Sequence, residues 1–60
     1  MKSQRFTSIC QAVQNGQERH VEHQVTHQTG KIVACSGINF EVETDGRHQN
    51  WAMQNCEEQT

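Results

Sequence analysis

Apolar and polar positions alternate most regularly between Lys31 and Thr44. The even positions there are Ile32, Ala34, Ser36, Ile38, Phe40 and Val42, all apolar except Ser36. The odd positions are mostly polar (Lys31, Asn39, Glu41, Glu43), with Val33 and Cys35 as exceptions. Period-two alternation of this kind predicts one long β-strand with a buried face. Gly37 in its middle marks a bulge or a sharp bend. Asp45-Gly46 then supplies a two-residue turn, because both residues tolerate the positive φ that a tight hairpin demands. With Thr44 opposite Arg47, Phe40 faces Trp51 and Ile38 faces Met53. Opposed residues share a face, so the apolar set continues across the ladder.

The segment HVEHQVTH, residues 20 to 27, admits two readings. As a helix it would place His20, His23 and His27 on one face. As a strand it places Val21, His23, Val25 and His27 together and turns His20 away. Two β-branched valines and a threonine, with no Leu, Ala or Met from 17 to 30, favour the strand. A turn at Thr29-Gly30 would set Gln28 against Lys31, Val25 against Ala34 and Val21 against Ile38. The first segment behaves differently. Phe6, Ile9, Cys10 and Val13 fall at i, i+3, i+4 and i+7, one stripe of a helix. Ser3 is its expected N-cap and Gly16 the residue just past its end.

These elements predict an α+β fold: an N-terminal helix packed on a three-stranded antiparallel β-meander. A strong bend at Gly37 would give the alternative, a small all-β SH3-like barrel. Residues 1–60 form a single small domain, with 1–3 and 57–60 expected to fray. Such a chain buries only about 60% of the surface it exposes when unfolded. Here 32% of residues are hydrophobic, so the core is thin. Small domains of that kind gain from a staple or a second copy.

Charge and chemistry narrow the function classes. The net charge of -2 and scattered Lys2, Arg5, Arg19, Lys31 and Arg47 give no basic patch for phosphate. An odd count of three cysteines, with no leader-like segment, predicts free thiols in a reducing cytoplasm. Histidines and cysteines raise the question of zinc, yet no close-spaced ligand pairs are present. The only metal nucleus the pattern offers is His23, His27 and Cys10. No nucleophile sits in a catalytic constellation, so neither an enzyme nor a cofactor is implied. The remaining candidate is the polar sheet face. Val33 and Cys35 would form its apolar centre, with Glu41, Glu43, His48 and Asn50 around them. Strands 20–27 and 47–53 would both present unpaired edges.

The expected function is therefore a small cytoplasmic protein-interaction module, of the accessory or inhibitor type found in bacteria and phages, binding a protein partner or itself as a homodimer. The alternatives are a single-stranded nucleic-acid binder using the sheet face and a small zinc-stabilised module. The first lacks aromatic and basic residues on that face.

Overall fold

The computed structural model describes residues 1–59. It contains one helix and an open five-stranded antiparallel sheet, an α+β chain rather than the three-stranded meander expected. The helix α1 spans Ser3–Gln14, and its presence sets aside the all-β alternative. The strands are β1 (His20–His23), β2 (Thr29–Ser36), β3 (Asn39–Thr44), β4 (Arg47–Ala52) and β5 (Cys56–Gln59). A single 3-10 turn, Met53–Asn55, joins β4 to β5. The spatial order is β4-β3-β2-β1-β5, so the last strand lies beside the first.

α1 follows its apolar stripe. Phe6 and Ile9 are buried, and Cys10 and Val13 pack partly against the same core. Its N-cap is Lys2, not Ser3, and no side chain caps it. Its C-terminus closes as the sequence predicts. Gly16 has φ +84, its N–H donates to the Val13 carbonyl, and the Gln17 N–H donates to Ala12. Those two bonds satisfy carbonyls the last turn leaves free, and the left-handed residue is a glycine because Cβ is disfavoured there.

The β3–β4 hairpin has the expected register, with Phe40 opposite Trp51, Glu43 opposite His48 and Thr44 opposite Arg47. Asp45 and Gly46 both have positive φ, as the tight turn requires. Elsewhere the expected long strand is divided. Gly37 and Ile38 form a two-residue turn between Ser36 and Asn39, with Gly37 at φ +59. The irregularity falls earlier, between Ile32 and Ala34, where Val33 is the extra residue. Ile38 is consequently 61% exposed at the turn, not inward. Met53 lies in the 3-10 turn, its N–H donating to the Ile38 carbonyl.

The β1–β2 pairing also differs. Val21 faces Gly30 and Glu22 faces Thr29, so Thr29-Gly30 opens β2 instead of forming a turn. The loop is residues 24–28, which leaves Val25 74% exposed, and His27 takes φ 60. Gly30 is buried because its missing side chain makes room for two others. A Cβ there would lie 3.0 Å from Val42 Cβ and 3.1 Å from Trp51 Cζ3. Gly30→Ala is expected to cost about 1–3 kcal/mol through overpacking. A thermal melt checks this, and an unchanged midpoint would mean that the indole does not rest on β2.

Glu57, Glu58 and Gln59, within the end expected to fray, pair with Glu22, Val21 and His20. Thr60, the remaining residue of the expected frayed end, lies outside the described residues. The core joins Phe6 and Ile9 from α1 to Val21, Ile32, Phe40, Val42, Trp51 and Cys56. Phe6 and Phe40 meet with ring centroids 4.9 Å apart.

Candidate functional site

The residues expected to form a surface are only partly brought together. Glu41 stands opposite Asn50 and Glu43 opposite His48, so these four share one outer face of β3 and β4. The His48 ring lies between the carboxylates, with Nε2 3.3 Å from Glu43 Oε2 and Nδ1 3.8 Å from Glu41 Oε1. Val33 is apart from them, exposed at the irregularity in β2. Cys35 leaves this face and is partly buried against the core. The extra residue at Val33 reverses the phase of β2, so Cys35 lies opposite Phe40, on the core side.

There Cys35 is bonded to Cys10 of α1, with Cα atoms 6.0 Å apart. The expectation of free thiols is corrected at these two positions, and Cys56 alone is a free cysteine. A disulfide-bonded Cys10 has no thiolate to offer a metal. The histidines expected beside it are engaged separately. His23 Nδ1 accepts the Val25 N–H at 3.2 Å, and His27 Nδ1 lies 3.2 Å from Glu22 Oε2. Among the described residues, no three His, Cys, Asp or Glu side chains are grouped to hold a metal ion.

Cys56 is buried, and burial pushes its thiol above the ordinary 9.0, with the N-terminal ammonium acting in the opposite sense. The folded chain therefore keeps this proton after the unfolded chain has lost it. Stability should fall as the pH rises above 9.0 towards the higher folded value. Denaturation midpoints of wild type and Cys56→Ala across that range check the sign: the gap between them should narrow as the pH rises.

The sheet's two outer edges follow from the hydrogen-bond phase. In an antiparallel ladder, successive residues direct their backbone groups to opposite neighbours. Met53 N–H bonds to Ile38, so the odd residues Trp51, Gln49 and Arg47 are those that bond to β3. His48 and Asn50 then direct N–H and C=O away from the sheet. At the other end, Gln24 N–H donates to Asn55 O at 2.8 Å. By the same phase Glu57 and Gln59 bond to β1, which leaves the backbones of Cys56 and Glu58 at the free edge.

The two edges are not equivalent. β5 has four residues and carries Glu57 and Glu58, the latter paired with Arg5 of α1. Short strands and charges are common protections of a sheet edge. β4 has six residues, with an unbroken register to β3 and no proline in the chain. Arg47, His48, Gln49 and Asn50 are all exposed. The sequence expected edges at 20–27 and 47–53; the structure keeps the second and covers β1 with β5. β5 was missed because CEEQ shows neither alternation nor β-branched residues.

No helix of the described residues is long and apolar enough to cross a membrane. No family model matches the chain, and no curated protein or solved structure does so either.

Proposed function

We propose that this chain is a small protein-interaction module that binds by strand addition at β4, to a protein partner or to a second copy of itself. One observation supports the reading above the rest. β4 presents the outward backbones of His48 and Asn50 on a regular, uncovered edge. Main-chain groups of that kind supply affinity when another strand is added, and the alternate side chains supply selectivity. The acidic outer face beside it, with Glu41 and Glu43, supports a protein partner over a nucleic acid, whose phosphates it would repel.

Asn50→Pro tests the reading. It deletes an outward N–H and leaves the bonds to β3 intact, since Asn50 donates none of them. A partner captured by wild type should be lost by this variant, with the fold retained. Capture that persists in Asn50→Pro and fails in Glu41→Lys would move the site from the edge to the face. A cytoplasmic location rests on reduced thiols, and the Cys10–Cys35 bond argues against it, because such bonds persist in oxidising surroundings. Alkylation of the protein inside cells, read by mass spectrometry, distinguishes two thiols from one bond.

A further inference from the structure

We infer that the strand added at β4 is β4 of a second copy, antiparallel and related by a two-fold axis at Gln49. The inference rests on the strand-addition reading above and names its partner. Three antiparallel pairings of free edges are available between two copies: β4 with β4, β4 with β5, and β5 with β5. Directly opposed residues of an antiparallel pair lie on the same face. The outward-bonding residues of β4, His48 and Asn50, carry side chains on the outer face, opposite to Trp51. Those of β5, Cys56 and Glu58, sit in register with Val21 and His23, and Cys56 and Val21 belong to the core side. Joining β4 to β5 antiparallel would set outer-face residues opposite core-face residues. The two sheets would then turn their cores to opposite sides.

β4 with β4 meets no such conflict. About an axis at Gln49, His48 bonds to Asn50 of the second copy and Asn50 to its His48. The core faces of both sheets stay on one side. The side chains agree with this register. β4 carries no acidic residue, and an axis at Gln49 keeps the two Arg47 side chains at opposite ends of the interface. Neutral Gln49 meets itself on the axis. Pairing β5 with β5 would instead bring Glu57 and Glu58 of each copy against those of the other.

Two measurements on the full chain test the inference. Light scattering over a wide concentration range should give twice the chain mass. Asn50→Pro should raise the dissociation constant roughly 30- to 100-fold, because the symmetric interface loses the same bond twice. Gln49→Cys should form a disulfide-linked dimer on mild oxidation. Residues opposed on the axis between bonded pairs have Cα atoms about 4.5 Å apart, within reach of that bond. This second test stands even where the proline variant fails to fold. Cross-linking through Glu57→Cys but not Gln49→Cys would overturn the inference in favour of the β5 edge. A wild-type monomer at every concentration, with Gln49→Cys uncross-linked, would overturn the second copy as partner. Loss of another captured protein in Asn50→Pro would then still uphold strand addition itself. A dimer indifferent to Asn50→Pro and to Gln49→Cys would overturn both.

Discussion

Trp51→Ala is expected to cost about 3–5 kcal/mol, the range for truncating a buried large aromatic side chain. Trp51 is 5% exposed and stands opposite Phe40 in the β3–β4 ladder. Its ring lies over Gly30, and the His23 imidazole meets it edge-on with centroids 5.2 Å apart. It therefore ties β4 to β2 and β1. Its Nε1 donates to Gln49 Oε1 at 2.9 Å. Gln49 is exposed, so water replaces that bond, and the loss is mainly one of packing. A chain of this length has a total stability of roughly 3–9 kcal/mol. The variant should therefore be unfolded or close to it at room temperature. Circular dichroism with urea titration reads the effect. A midpoint equal to that of wild type would remove Trp51 from the core and with it the Phe40–Trp51 register.

Reduction of the Cys10–Cys35 bond should cost about 3–4 kcal/mol. The bond closes a loop with a sequence separation of 25, which spans the end of α1, all of β1 and most of β2. On the chain-entropy account, the bond raises the free energy of the unfolded chain, by about 3 kcal/mol for a loop of 15 residues and more for a longer one. The native structure has little else with which to hold α1. Only Phe6 and Ile9 of the helix are buried, with the exposed Arg5–Glu58 pair beside them. Exposed pairs contribute little. Urea midpoints with and without a thiol reductant should differ accordingly, and Cys10→Ser/Cys35→Ser should match the reduced protein. Coincident midpoints would mean that α1 is held by packing alone.

The two predictions concern the same weakness. Among the described residues a core of eight buried apolar side chains is small, so one indole or one covalent link is a large share of the total. The same shortage makes a second copy at β4 physically reasonable, since it would satisfy the edge and enlarge the folded unit.

Elements whose cause is local are legible in the sequence. The stripe Phe6, Ile9, Cys10, Val13 and the Gly16 stop define α1 because helix periodicity and capping are properties of a short segment. Asp45-Gly46 determines the β3–β4 register because a two-residue turn leaves only one alignment. Half of the proposed edge was legible from that hairpin: His48 and Asn50 follow from the turn by counting.

Three features depend on how distant segments pack. The extra residue at Val33 shifts the inward phase of β2 by one, and the tight turn at Gly37-Ile38 shifts it back. Two cancelling shifts leave Ile32, Phe40 and Val42 in one uninterrupted alternation, so a hairpin reads as a single strand. The place of Cys35 follows from the first shift, and its partner on α1 is set by packing between distant segments, which no spacing encodes. β5 lies beside β1 because the sheet curls at this end: Met53 bonds to Ile38 and, two residues on, Asn55 bonds to Gln24. Its four residues have too little pattern to announce a strand. That return leaves β4 as the long open edge, and the edge is where the protein's binding is proposed.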